Sequence, residues 1–287
     1  MILGSTISVQ VGSAFAKELF PTTGPLAMVW LRLTMGALIL VIAVRPKLKG
    51  HTRSDWLVLL GYAAVLVTMN ATFYQAVARI PLGLAVTIEF LGPLTVAIVR
   101  SRGLRDLLWV GLAALGVVIL GGSPTYLTWA GVGFALAAAA CWAVYILLAQ
   151  SAGRRWKGAE PVAVGNVVGA VVLATPALVL HWQVFTHWWV WAAGVGVGLL
   201  SSALPYVLEM AALRRLDQRV FSIMMSIEPA MGALSALVIL GEFLTWTDLA
   251  AMACIIAASV GTAWTAGRGR PGTPAQPDPS GSPDPAG

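Results

Sequence analysis

Charge is scarce in this chain of 287 residues: Asp, Glu, Lys and Arg make up 10% of it, against 58% apolar residues and a mean hydropathy of +0.83. A water-soluble domain carries roughly 25% charged residues, so the solvent around most of this surface is lipid. Cysteine is nearly missing. Cys141 and Cys254 each sit inside an apolar run without CxxC or metal-ligand spacing, which excludes a disulfide framework and a zinc site and leaves two buried, inert thiols. His51, His181 and His187 are separated from one another in the gaps between apolar runs, and no GK[ST], GxSxG, HExxH or DDxxD motif occurs. No catalytic residue, metal site or cofactor is therefore predicted, and the chain is not expected to be an enzyme. Met1 leads straight into Ile2 and Leu3 with no basic stretch and no small-residue cleavage site, so the first segment is expected to stay in the membrane.

Long apolar runs are what the chain has in plenty. Ten of them approach the roughly 20 helical residues that cross a bilayer core: Leu3–Phe20, Leu26–Val44, Trp56–Ala78, Leu82–Val99, Asp106–Gly122, Trp129–Ala149, Val162–Leu180, Trp188–Leu213, Val220–Leu240 and Leu249–Ala266. Continuous rather than alternating apolarity excludes a membrane β-barrel. The expected fold is all-α: a polytopic membrane protein of ten transmembrane helices. Connections are short, leaving no room for a soluble domain.

Basic residues give the orientation. Fifteen of the eighteen Lys and Arg residues fall in every second gap: Arg45, Lys47, Lys49, Arg53; Arg100, Arg102, Arg105; Arg154, Arg155, Lys157; Arg214, Arg215, Arg219; and Arg268, Arg270. Only Arg79 occupies an intervening gap. Cytoplasmic loops retain positive charge, so both termini are predicted to be cytoplasmic, with Trp129, Trp182, Trp188, Trp189 and Trp246 as anchors near the outer boundary. The net charge of +6 and pI near 9.7 would suit nucleic acid, but the basic residues punctuate the apolar runs instead of forming a patch, and no nucleic-acid partner is predicted. Residues 267–287 are rich in proline, offer no apolar face and are expected to be a disordered cytoplasmic tail.

An internal duplication divides the rest into residues 1–123 and 124–266. Thr87, Ile88, Glu89, Gly92 and Pro93 in the fourth run match Ser226, Ile227, Glu228, Pro229 and Gly232 in the ninth. Five helices per half is an odd number, so the halves enter the membrane from opposite sides, as two inverted five-helix repeats with a site expected between them near the midplane. Glu89 lies eight residues beyond Pro81, and Glu228 nine beyond Arg219, roughly 12 to 14 Å deep at 1.5 Å per residue. An ionisable group at that depth costs roughly 2.5 to 3.5 kcal/mol and should face protein or a wet cavity. Such a carboxyl can hold a proton or a cationic amine. For Glu228 a helix-packing device together with Pro229 stays open. Pro93 and Pro229 each lack the N–H that would bond the carbonyl four residues back, those of Glu89 and Met225, so helix breaks are predicted at both; simple kinks are the alternative. Arg32 lies at nearly the depth of Glu89, and an ion pair between them stays open. Lys17 either snorkels to the interface or meets a substrate carboxylate. Asn70, Tyr74, Gln75, Trp142, Tyr145, Tyr206, Glu209 and Ser226 complete the candidate substrate and proton site, several of them serving only as hydrogen bonds between helices.

The segments SAFAKELFP (Ser13 to Pro21), LRLTMGALIL (Leu31 to Leu40), IPLGLAVTIEFLGPL (Ile80 to Leu94), CWAVYILLAQ (Cys141 to Gln150) and SSALPYVLEMAAL through MMSIEPAMGALSALVILGE (Ser201 to Glu242) resemble the ten-helix drug/metabolite transporters of the EamA type, over roughly Thr6 to Thr265. That resemblance implies an inner-membrane exporter of small amino acids, working as a proton antiporter, with the fourth and ninth helices lining a central cavity and the fifth and tenth at the periphery. Small amino-acid-like molecules, protons and the lipid bilayer are the implied partners. Export of another metabolite or a drug, a non-transporting channel or scaffold, and a homodimer all stay open.

Overall fold

Several helices begin or end on a local chemical signal. Thr52 and Asp55 form a reciprocal capping box, with Asp55 Oδ2 accepting from the Thr52 N–H at 2.9 Å and Thr52 Oγ1 accepting from the Asp55 N–H at 3.3 Å. Thr245 and Asp248 repeat the arrangement near the other end of the chain. Gly24 separates the first two helices alone, with φ +76 and its N–H bonded to the Phe20 carbonyl, and Pro25 starts the next helix. A Cβ at Gly24 would meet the His181 ring at 2.9 Å, so both the conformation and the space call for glycine.

The computed structural model describes residues 1–100, 106–121, 128–213 and 223–266. The helices are α1 Ile2–Thr23, α2 Pro25–Val44, α3 Arg53–Val77, α4 Leu82–Glu89, α5 Leu91–Arg100, α6 Asp106–Gly121, α7 Trp129–Gly153, α8 Glu160–His181, α9 Trp188–Gly198, α10 Leu204–Leu213, α11 Glu228–Ser235 and α12 Trp246–Ala266. Wide turns at Leu199–Ala203 and Ala236–Leu240 extend α9 into α10 and lengthen α11. No strand occurs among the described residues. The expectations for Arg102, Arg105, Arg214, Arg215 and Arg219, for the seam over 123–127 and for the tail 267–287 fall outside the described residues.

Among the described residues, eight helices are long and apolar enough to cross a membrane. The tenth run is among them, starting at Trp246 rather than Leu249 because of its capping box. The first and fifth runs fall short of that measure. In α6 the apolar stretch among the described residues is Leu108–Ile119. In α1 the hydropathy is diluted by Ser5, Thr6, Ser8, Gln10 and Ser13, all of them buried, while Leu3, Ile7 and Phe15 are exposed. α1 is therefore polar towards the protein and apolar outside, the reverse of a helix in water. The same inversion covers the outer surface, where Ile42 and Val118 are each 71% exposed and Val171 and Val179 each 69%. So large an apolar surface requires lipid.

Packing follows a regular scheme. α2 lies on α8, α4 on α11, α6 on α12, and α3 on α7, while α1 packs on α10, α11 and the Leu199–Ala203 turn. At one end His51 stacks on Trp156 at 3.6 Å, Arg155 pairs with Asp55 at 3.0 Å, and Glu160 accepts from the N–H groups of Lys47 and Lys157. This is the basic end. At the other, Trp129, Trp182, Trp188 and Trp246 are exposed by 61% to 87%, whereas Trp189 packs against the core.

Candidate functional site

Pro205 sets the position of Arg32. Lacking an N–H, it cannot bond the carbonyl of Ser201 four residues back, and Arg32 Nη2 donates to that carbonyl at 3.1 Å. In the same wide turn the Leu204 N–H reaches back to Leu199, which frees the Leu200 carbonyl, and Ser8 Oγ donates to it at 2.6 Å. α1 and α2 are thus both fastened to one irregular turn, a feature that recurs at functional sites.

Beside the turn lies a cavity of about 170 Å³, bounded by α1, α2, α3, α7, α8 and α10. One water needs roughly 10 to 15 Å³ by the same measure, so several waters or a small polar solute fit. Arg32, Asn70, Tyr145, Tyr206 and Glu209 line it, five of the residues proposed from sequence. Arg32 and Glu209 do not pair across it. Glu209 accepts from Ser5 Oγ at 2.6 Å, and the Arg32 guanidinium stands 5.6 Å from the Tyr74 ring centroid.

Glu89 and Glu228 are buried, at 8% and 6% exposure, and do not line the cavity. The α4–α11 contact brings them together. Gly83 lies against Ala233 and Val86 against Gly232, with no room for a Cβ at Gly83, so the two helices run antiparallel in a register that, continued, sets Glu89 level with Glu228. Glu228 is within electrostatic reach of both Glu89 and Glu209, and Arg32 is within reach of Glu89. Neither carboxyl makes a hydrogen bond or ion pair among the described residues. Three acids and one cation therefore share one region.

α4 stops at Glu89 and α5 resumes at Leu91, across the position where Pro93 offers no N–H. Residues 223–225 are helical, Ser226–Ile227 form a turn and the helix resumes as α11 at Glu228, with Pro229 in its first turn. No Arg32–Glu89 ion pair forms; the carbonyl of Ser201 takes the guanidinium instead. Lys17 neither snorkels nor faces the cavity. Its Nζ pairs with Glu242 at 2.5 Å and donates to the Ile80 carbonyl at 2.9 Å, while Glu242 also accepts from the Leu82 N–H at 2.9 Å. Gln75 accepts from Arg79, and Ser226 bonds Ser259 of α12 at 2.7 Å, so both serve packing. Trp142 packs edge-on to Phe90, next to Glu89. Tyr145 joins Tyr62 at 3.0 Å between hydroxyls.

Two buried cavity residues with an unpartnered side-chain oxygen, Asn166 and Ser201, were not singled out from sequence. Asn166 is the lone amide in a mostly apolar helix, and the rule that flagged Asn70 applies equally to it.

The threonine/homoserine exporters RhtA of Escherichia coli (strain K12) and Salmonella typhimurium (strain LT2) are each 41% identical to this chain over 268 residues, spanning 92% of this chain and 90% of theirs. Residues 129–264 match the EamA-like transporter family. The chain belongs to that family. One solved crystal structure of another protein superposes on 93% of this EamA-like transporter and 97% of its own length with a TM-score of 0.65; at 19% identity that likeness concerns the fold alone. Among the described residues no cluster of His, Cys, Asp and Glu is arranged to hold a metal ion.

Proposed function

We propose that this protein is an inner-membrane secondary transporter that exports small amino acids such as threonine and homoserine by proton antiport. The observation that carries the substrate class is the 41% identity, over nine-tenths of both chains, to relatives that bear that function in their names. In this reading ten helices cross the bilayer as two inverted repeats, residues 1–123 and 124–266, with both termini and the tail 267–287 in the cytoplasm. The packing scheme supports it. Exchanging first-half and second-half segments in order leaves the α2–α8, α4–α11 and α6–α12 contacts unchanged and turns α3 on α7 into the α9–α10 segment on α1.

The site supplies the chemistry that exchange requires. Arg32 receives the substrate carboxylate, and Glu209, which lines the same cavity, receives the ammonium. Glu89 and Glu228 have no hydrogen-bond or ion-pair partner among the described residues, and an uncompensated charge at mid-bilayer costs roughly 2.5 to 3.5 kcal/mol. They stay neutral by carrying a proton or by facing a cation, and alternation between those states couples the two fluxes. The Lys17–Glu242 pair closes the outer end while the cavity takes substrate from the cytoplasm; rocking of the two halves opens the pair and narrows the cavity.

Purified protein in sealed vesicles, loaded with a panel of amino acids and unrelated drugs under an imposed proton gradient, tests this. Uphill movement of threonine and homoserine is expected. Movement of drugs alone would overturn the substrate class, and movement only down a gradient would overturn the transport mechanism.

A further inference from the structure

We infer that Asn166 is the specificity-determining residue for a side-chain hydroxyl on the transported amino acid, its Oδ1 accepting a hydrogen bond from that hydroxyl. This assignment deepens the export reading and rests on it. Asn166 Nδ2 donates at 2.8 Å to the Val162 carbonyl one turn back on α8. A carbonyl only accepts, so the amide is oriented: nitrogen to its own helix, oxygen to the other side. That oxygen has no partner, the residue is 3% exposed, and it lines the cavity. A buried acceptor left without a donor costs about 1 to 3 kcal/mol, a penalty that a bound donor removes.

The placement suits a small zwitterion. A Cβ on Gly36 would lie 2.9 Å from Asn166 Oδ1, so the oxygen rests against α2 one turn beyond Arg32, roughly 6 Å along the axis. Arg32 Nε and Ser201 Oγ are the other buried polar atoms on this wall without a partner. Asn70, across the cavity on α3, is pinned in the same manner, with Nδ2 donating to the Leu66 carbonyl at 2.8 Å. A carboxylate on Arg32, an ammonium towards Glu209 and a hydroxyl on Asn166 fill all three positions with one molecule. A site built to bond a hydroxyl discriminates strongly against an analogue without one, because the acceptor is then stranded, whereas an apolar pocket tells the two apart only weakly.

The test compares threonine with 2-aminobutyrate, the same skeleton without the hydroxyl, each loaded at equal concentration into vesicles bearing the full-length protein under a proton gradient. Wild type should export threonine at least about tenfold faster. Asn166→Leu should lower threonine export until the two rates lie within about twofold of each other, and an unchanged melting temperature in detergent shows that the variant is folded. Equal handling of both by wild type, or an undiminished threonine preference in Asn166→Leu, overturns the assignment and leaves amino-acid export standing. If Asn166→Leu exports neither, Asn166→Asp, which retains an acceptor oxygen, decides: a kept preference supports the assignment, and a lost one overturns it. Wild-type export of neither amino acid overturns the export reading and this assignment together.

Discussion

Lys17–Glu242 and Arg32–Glu209 each set one cation against one acid in the same bundle, and they are built in opposite ways. The first pair is in contact at 2.5 Å, with the Ile80 carbonyl and the Leu82 N–H completing it, so that three separate stretches of chain are tied at the end bearing the exposed tryptophans. Arg32 and Glu209 line a cavity without touching, each held by one fixed hydrogen bond and each with capacity to spare. Where the polar groups satisfy one another the structure is fastened; where they are held apart, a ligand must finish the bonding. A buried group is costly until it is paired, and in the proposed mechanism the second region leaves that pairing to its substrate.

The contrast can be broken at several places. Arg32→Gln removes the cation on the open side and should slow threonine export by about 10- to 100-fold, the range for a lost hydrogen bond to a charged group, as measured by efflux from loaded vesicles; protein yield should be unaffected. On the closed side, Glu242→Gln leaves a mostly buried Lys17 without its counter-charge and should destabilise the protein by about 1 to 3 kcal/mol, seen as a lower melting temperature in detergent. The double replacement Lys17→Met with Glu242→Leu should recover part of that loss, since a stranded charge costs more than an apolar pair of similar size. Pro205→Ala sharpens the comparison. It restores an N–H that competes with Arg32 for the Ser201 carbonyl, so substrate affinity should fall by about three- to tenfold, the scale of one net hydrogen bond, with melting temperature held or raised. The smallest effect belongs to the basic end. Arg155→Ala removes an exposed ion pair with Asp55 and should change neither export nor melting temperature measurably.

The sequence reveals this architecture unevenly. Helix positions were legible because continuous apolarity and basic punctuation are local signals, and the capping box at Thr245 shifted the start of the last helix by only three residues. Arg32, Asn70, Tyr145, Tyr206 and Glu209 could be proposed because polar groups are rare enough in apolar helices for each to stand out. What sequence could not supply was partnership. Lys17 and Glu242 are far apart along the chain, and nothing local distinguishes a cation that is paired from one that snorkels. Ser226 and Gln75 have the residue types of a site and the surroundings of packing contacts. The proline rule was applied to Pro93 and Pro229 but not to Pro205, whose freed carbonyl is the one that fixes Arg32. α1 fell short as an apolar span because its polar residues face inward, a difference that hydropathy averaged along a helix cannot register.

Coupling between proton and amino acid is measured most directly in vesicles holding threonine at equal concentration inside and out, when a pH gradient is imposed and both the external threonine and the internal pH are followed. Wild type is expected to drive threonine uphill as the pH gradient collapses, and Glu89→Gln, present in the membrane at equal amount, to do neither. Uphill movement undiminished in Glu89→Gln, or a wild-type protein indifferent to the gradient, would contradict the account.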